Sequence, residues 1–336
     1  MNEPRHAPAQ LRTLVADALV AHRTSRPNAQ SVAAALVGAE TEGQGGHGLR
    51  RVAAYCAQAK AGKVDGHAIP AASVRRAGVL SIDAGHGFAY PAFDLAIARL
   101  PAMAAANGIA MAAIFRSHHA GVAGRPAELL AKSGCAALLF ANAPASIAPW
   151  GSGTALYGTD PIAFAAPRPD GEPVVVDLSL SKVARGRLMA AAQKGESIPE
   201  GWARDSAGQP TTDPRAGMAG TMIPMGDAKG AALALMVEIL AAGLTGANYA
   251  YEQSSFFDAQ GGPPGSGQLL IAIDAGAASA RALARIGEMA MRVEQAQGAR
   301  LPGRRRQELR RDMERDGVPV EPELYSQIAR LAQGQA

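Results

Sequence analysis

The sequence predicts an α/β (α+β) protein in which a central sheet domain is inserted between N- and C-terminal helical segments. Three observations carry this. Apolar residues recur at helical spacing at both ends of the chain, short apolar or alternating runs of strand length fill the middle, and the order helices, mixed strands and helices, then helices brings the two chain ends together. The boundaries read as residues 1–75 with 280–336 for the helical part and 76–279 for the sheet part. A chain of 336 residues, 48% hydrophobic and 18% charged, with 38 Gly and two Cys, excludes a disordered chain, a disulfide scaffold and a collagen repeat. It leaves a soluble globular protein of two or so domains.

The elements follow in order. Leu11, Leu14, Val15, Ala18 and Leu19, then Val32, Ala35 and Leu36, predict two helices between Leu11 and Ala39, broken around Pro27. Gly43, Gly45, Gly46 and Gly48 surround His47, and a helical stretch runs from about Leu49 to Ala61. VLSIDAGHGFAY reads as a strand entering a Gly-punctuated turn. PAFDLAIARLPAMAAANG reads as a helix closing at Gly108. GIAMAAIF, CAALLFAN, PIAFAAP, EPVVVDLSL and QLLIAID are strand-like, with AELLAKSG, a segment from about Lys182 to Lys194 and KGAALALMVEILAAGLTG as helices between them. From about Ala278 the chain is helical, with an interruption at LPGRRR.

Charge narrows the partners. The net charge of +4 is an arginine surplus, and aromatics are only 4%, so nucleic-acid binding, which needs basic clusters interleaved with stacking rings, is not expected. The basic run Arg300 to Arg315 alternates with acids and reads as a solvated helix start. The N-terminus is too polar for a secretory signal and no uncharged run of 18 apolar residues occurs, so no membrane span is expected and the cytoplasm is the expected compartment. Cys56 and Cys135, in apolar surroundings without a CxxC partner, read as buried free thiols.

Histidines carry the candidate chemistry. His47, His86 and the pair His118–His119 all lie in Gly-rich settings, where ligand and backbone can approach closely. On a helix opening after Gly48, Arg51 would lie one turn from His47 on the same face, and a proton donor beside a guanidinium suits a small carboxylate substrate. HExxH, a Walker A loop, a GxSxG elbow and a GxGxxG after the first strand are absent. Neither a zinc site nor an ordinary Rossmann domain is expected.

Six motifs taken in order, GHGLRRVAAY, SHHAGVAG, APWGSGTALYGTDPIAFAAP, VVVDLSLSKVARGR, IPEGWARDSAGQPTTDP and PMGDAKGAALALMVEIL, resemble the malate/L-lactate dehydrogenase family of the second, non-Rossmann type. That family includes ureidoglycolate, sulfolactate and Δ1-piperideine-2-carboxylate oxidoreductases. The resemblance covers about Leu11 to Arg306. It implies NAD(P) bound on a largely antiparallel sheet domain, a helical dimerisation and substrate domain, and a homodimer whose active site is finished by the second subunit. Residue by residue, His47 resembles the family's proton donor, with His119 as the alternative acid/base. Arg51 resembles the arginine that holds the substrate carboxylate, and Thr159 resembles a substrate contact. His119 with Ala120, Gly121, Val122 and Ala123, the group Asp177, Leu178 and Ser179, Lys229, and the segment Pro302 to Arg306 with Gly303, Arg304 and Arg306 resemble cofactor contacts.

The implied reaction is hydride transfer between nicotinamide and C2 of a small 2-hydroxy or 2-oxo acid of malate, lactate or sulfolactate type, with a protonated His47 supplying the proton. Two alternatives stand beside it: an NADPH-dependent Δ1-pyrroline/Δ1-piperideine-2-carboxylate reductase, and a non-catalytic ligand-binding member. Gly46 replaces the family's Ser, and Arg185 and Arg187 stand where imine reductases resemble His-Gly-Asp; both disfavour the cyclic imine. Arg50, Arg116 and Arg185 would suit a dianion if they line the pocket, or are surface residues if they do not. NAD versus NADP stays open, since Arg304 to Arg306 fit either a 2′-phosphate or an exposed helix start.

Overall fold

A computed structural model describes residues 3–335. In chain order its regular elements are β1 (Arg5–His6), α1 (Pro8–Ala21), α2 (Arg26–Thr41), α3 (Val52–Ala61), β2 (Ala71–Arg76), β3 (Val79–Asp83), α4 (Ala89–Asn107), β4 (Ile109–Ser117), α5 (Gly124–Lys132) and β5 (Cys135–Ala141). There follow β6 (Ile162–Ala166), β7 (Val174–Leu178), α6 (Arg185–Lys194), β8 (Ala203–Arg204), β9 (Pro210–Thr211), α7 (Pro214–Ala219), β10 (Thr221–Met222) and α8 (Ala228–Glu238). β11 (Ser266–Asp274), α9 (Ala282–Gln295), α10 (Arg304–Asp316), β12 (Val318–Pro319) and α11 (Pro322–Ala332) complete the chain.

Seven strands form one sheet in the order β2-β3-β4-β11-β5-β6-β7. Every neighbouring pair is antiparallel except β3 with β4, so the fold is mixed α/β with a mostly antiparallel sheet. The period-2 alternation of strands sorts the central residues between two cores. Ala112 and Ile114 of β4, Ala137 and Leu139 of β5, and Leu270 and Ala272 of β11 join the large core under α1 to α5. Their neighbours Met111, Leu138, Phe140, Leu269 and Ile271 face α8, packing on Ala234, Val237 and Ala241. These strands are apolar on both faces because both faces are covered.

The chain ends do pack together. β1 pairs antiparallel with β12, and the His6 and Tyr325 rings stack with centroids 4.1 Å apart. Cys56 and Cys135 are buried free thiols, and burial pushes the Cys56 thiol up to about 12. Four strands carry no apolar periodicity and escape a reading of the sequence. All six residues of β2 are exposed, and β8, β9 and β10 are two-residue strands of a separate small sheet. The apolar run after Lys229 leaves α-helical geometry at Ile239–Gly243, a π turn where the Thr245 hydroxyl donates to the Ala241 carbonyl (2.5 Å).

The basic run at Arg300–Arg315 forms a helix, α10, with no buried residue, yet one of its side chains is an anchor. Arg310 donates to both carboxylate oxygens of Glu128 on α5 (3.0 and 2.6 Å) and to Glu42 at the end of α2 (3.2 Å). Burial pushes the Glu128 carboxyl up, but the Arg310 hydrogen bonds and charge pull it, on balance, below the usual range. Removing one partner of a buried pair leaves uncompensated charge. Arg310→Met is therefore expected to cost about 3–5 kcal/mol in urea unfolding, whereas Arg315→Met, whose side chain is 68% exposed, is expected to leave the unfolding midpoint nearly unchanged.

Candidate active site

The segment after α2 is not one continuous helix. Gly45–His47 is a single 3-10 turn, Gly48 breaks it with φ −102° and ψ −136°, and Leu49–Arg51 is a second turn leading into α3. A Cβ at Gly48 would collide with the Glu40 carboxylate, which accepts the Leu49 N–H (2.8 Å). The expected same-face pairing of His47 and Arg51 on one helix is thus corrected. Arg51 instead folds back, its Nε donating to the Gly46 carbonyl (2.9 Å) and its guanidinium lying 4.4 Å from the Phe257 ring centroid. It is 8% exposed, and among the described residues it has no carboxylate partner.

His119 arrives from the end of β4. Its ring stacks on that of His47 with centroids 5.2 Å apart and planes 19° from parallel, although 71 residues of chain lie between them. Its Nδ1 is hydrogen-bonded to the Tyr55 hydroxyl (2.7 Å), which meets the Tyr90 hydroxyl (3.1 Å). His118 lies among Tyr55, Phe88 and Phe256, and neither of its ring nitrogens has a protein partner. Nδ1 of His47 is likewise buried without a partner.

Desolvation decides the charge here. Burial, then the Arg51 charge, lowers His47 to about 4; burial, then Arg51 and Lys63, lowers His118 to about 3; burial and Arg51 hold His119 well below its ordinary value. The protonated His47 expected from the sequence is therefore neutral at pH 7 in the chain by itself, because burial disfavours the charged imidazole and the Arg51 cation adds to that penalty.

Sheet register collects the remaining predicted residues. Ser117 pairs with Ser266, Ala141 with Gln268, Phe140 with Ile162, and Ile162 with Leu178, so the ends of β4, β5 and β7 and the starts of β6 and β11 lie along one edge. The loops leaving that edge carry His118 to Ala123, Thr159 and Asp177 to Ser179. Asp177 accepts the Gly124 N–H at the start of α5 (3.0 Å) and an Arg306 N–H (2.9 Å), and the charges of both Asp177 and Arg306 are felt at His47. Ala120, Val122 and Ala123 are buried, and Gly121 takes a left-handed φ of 67° where a Cβ would meet the Tyr90 hydroxyl at 2.6 Å.

Thr159 and Ser179 form a second cluster. The Thr159 carbonyl accepts the Leu180 N–H (2.8 Å) and the Ser179 hydroxyl (3.3 Å), and Leu178 beside them is 46% exposed. Gly303, with φ 84°, precedes α10 and backs onto Val175. Lys229 stands exposed in the first turn of α8, and Arg304 pairs with Glu294 and Glu308 (3.0 Å each); neither is joined to the histidines by a hydrogen bond among the described residues. A cleft of ≈ 320 Å³ adjoins this segment, lined by Arg168, Pro302, Arg304, Gln307 and Arg311 among others.

Arg50 pairs with Glu321 (2.6 Å) and Arg116 with Asp83, both on the surface. Arg185 is partly buried, burial lowers its pKa, and its side chain donates to the Met218 carbonyl (3.2 Å). Tyr55, Phe256 and Phe257 are site residues that sequence reasoning missed. Tyr55, one helical turn beyond Arg51, was findable from spacing; the two phenylalanines, far downstream in an irregular segment, leave no local signal.

Fold and site together define an oxidoreductase. The chain matches the malate/L-lactate dehydrogenase family over residues 7–329 and belongs to it. It is 50% identical over 301 residues to the (2R)-3-sulfolactate dehydrogenase (NADP(+)) of Chromohalobacter salexigens, covering 89% of this chain and 90% of that protein. It is 37% identical over 337 residues to the Delta(1)-pyrroline-2-carboxylate reductase of Ancylobacter novellus, covering 98% of each. The crystal structure of delta1-piperideine-2-carboxylate reductase from Pseudomonas syringae pv. tomato superposes with a TM-score of 0.93 at 36% identity, covering 98% of this chain and 99% of that one.

Histidines kept neutral by burial bind protons once unfolded, so the unfolded state takes up more protons below the ordinary histidine pKa and stability is lost as pH falls through it. Urea unfolding is expected to show stability dropping between pH 6.5 and 5 by up to about 1.4 kcal/mol per pH unit for each of His47, His118 and His119. A flat profile over that range would contradict the neutral assignment.

Proposed function

We propose that this protein is an NAD(P)H-dependent oxidoreductase interconverting a small 2-oxo acid and its 2-hydroxy acid at C2, with a dianionic substrate of sulfolactate or malate type. One observation carries the reading: two stacked, desolvated imidazoles, His47 and His119, stand beside a buried guanidinium, Arg51, that has no carboxylate among the described residues. The 50% identical relative is named for sulfolactate and NADP(+), which supports both the substrate class and the cofactor.

The residues present fit the cofactor. Nδ1 of His47 is buried and unpartnered, and Gly121 and Gly303 take left-handed conformations that leave the backbone bare for close approach. Ala120 to Ala123 with His119, Asp177, Leu178 and Ser179, Lys229 at the start of α8, and Gly303, Arg304 and Arg306 would hold it, on a non-Rossmann sheet domain of residues 76–279. The cleft beside Arg304 is lined by Arg168, Arg304 and Arg311 but also by Asp170, Glu172 and Glu294, and Glu294 already pairs with Arg168 and Arg304, so the preference for NADPH rests on the sulfolactate relative. When bound, the nicotinamide supplies the hydride for C2.

The chain's own residues do the rest. Arg51 offers parallel N–H donors to the substrate carboxylate and so fixes C2. Pairing removes the part of the penalty that the Arg51 charge adds to burial and so favours protonation of His47, which delivers the proton to the oxygen at C2 while stabilising the charge developing there. His119, fixed through Nδ1 by Tyr55, donates from its other ring nitrogen to the same oxygen. Arg185, partly desolvated and without an ion-pair partner among the described residues, takes the second anionic group. Thr159 contacts the substrate from its loop. The exposed apolar residues Leu235, Met236, Ile239 and Leu244 on and after α8 support a homodimer built on residues 1–75 with 280–336 and on this face. Among the described residues no helix is long and apolar enough to cross a membrane, which agrees with the proposed cytoplasmic compartment.

The similarity to pyrroline- and piperideine-carboxylate reductases supports a second reading, reduction of a cyclic 2-imino acid; Gly46, which has no hydroxyl to assist His47, counts against it. Assaying NADPH and NADH with a panel of 2-oxo and cyclic 2-imino acids separates the two, and cofactor binding without turnover across the panel would identify a ligand-binding protein instead.

His47→Ala is expected to lower kcat about 100-fold or more with cofactor affinity little changed, and Arg51→Lys to raise KM about tenfold or more. Near-normal kcat in His47→Ala would transfer the proton-donor role to His119. Arg185→Met is expected to raise KM for sulfopyruvate or oxaloacetate while leaving that for pyruvate nearly unchanged; an equal rise for all three would remove Arg185 from substrate recognition.

A further inference from the structure

Lys63 follows Gly62, the left-handed residue that closes α3, and its side chain is 0% exposed. A buried ammonium is tolerated only when its donors are satisfied. Its Nζ donates to the carbonyls of Ser255 (2.6 Å), Gln260 (2.6 Å) and Asp258 (3.1 Å), with Asp258 Oδ1 at 3.5 Å. Gln58, on α3, donates to the carbonyls of Phe256 and Asp258 (3.0 Å each). The segment from Ser255 to Gln260 belongs to no helix or strand, so these backbone tethers set its path. Being held by its carbonyls, it leaves two side chains to act elsewhere. Phe256 lies 5.3 Å from the His118 ring and 5.1 Å from that of His119, and Phe257 lies against Arg51.

We propose that Lys63 is a positioning residue of the active site, its ammonium holding the segment Ser255–Gln260 so that Phe256 shields His118 and His119 from water and Phe257 seats the Arg51 guanidinium. The inference rests on the reading above that His119 and Arg51 serve the reaction, and it assigns a purpose to a buried cation whose hydrogen bonds all go to Ser255, Asp258 and Gln260. The charged and titratable groups around the histidines are Arg51 and Tyr55 from the α3 segment, Tyr90 from α4, His47, and Lys63 itself. Loss of Lys63 removes one positive charge and also the shield. Phe256→Leu removes the shield and keeps the charge.

Imidazole titration by NMR on the substrate-free protein reads the effect directly. His118 and His119 are expected to show no titration between pH 5 and 8 in the natural protein, and to titrate within that range in Lys63→Met and in Phe256→Leu. In Lys63→Met, kcat/KM for the 2-oxo acid is expected to fall tenfold or more, with its pH profile displaced upward. If Lys63→Met does not fold, Lys63→Gln, which keeps an N–H donor, is expected to give a smaller displacement in the same direction. A folded Lys63 variant whose histidines remain untitrated from pH 5 to 8 would overturn the proposal, as would an unmoved titration in Phe256→Leu. Since the titration needs no substrate, displaced histidines with no turnover on any 2-oxo acid would count against the 2-oxo acid reading alone, and turnover with unmoved histidines against Lys63 alone.

Discussion

The buried guanidinium of Arg51 is the interaction on which the rest of the site depends. A charge 8% exposed and without a carboxylate partner among the described residues is costly to keep, and the surroundings meet that cost only in part. The Gly46 carbonyl accepts Nε and the Phe257 ring lies against the planar cation, but neither carries a full negative charge. Burial, reinforced by the same positive charge, keeps three imidazoles neutral. In the proposed reaction a bound carboxylate would do two things at once: complete the pairing of Arg51, and weaken the field that adds to burial in disfavouring protonation of His47.

Two unrelated parts of the fold hold this arrangement. Helix α3 and the turns before it supply His47, Arg51 and Tyr55, while a mostly antiparallel sheet delivers His119 at an edge where the ends of three strands and the starts of two others meet. The link from Asp177 to both α5 and Arg306 ties α10 to that edge. Arg310 ties the same helix to α2 and α5 through buried glutamates. The pairing of β1 with β12 completes the connection between chain ends.

The strands and helices with clear periodicity were legible in the sequence because their faces are buried, and burial is what writes a period into a chain. β2 and the two-residue strands β8 to β10 bury little in the main core, so nothing marked them. The site was legible as motifs: glycine-flanked His47 and His119 do meet, and Arg51 does join them. What the residues could not reveal was how. Gly48 breaks the helix that would have put Arg51 on His47's face, Arg50 and Arg116 are engaged by Glu321 and Asp83, and Phe256 reaches the histidines only through tertiary tethers. The neutral state of His47 was likewise invisible, since it follows from burial and not from neighbours in sequence.

The central claim, that an anion on Arg51 protonates His47, is tested most directly by calorimetry of an unreactive 2-oxo acid analogue binding to the NADP(H)-loaded protein at pH 7 in two buffers of different ionisation enthalpy. The account predicts uptake of close to one proton per bound analogue, abolished in His47→Gln. Binding without proton uptake in the unsubstituted protein would contradict it.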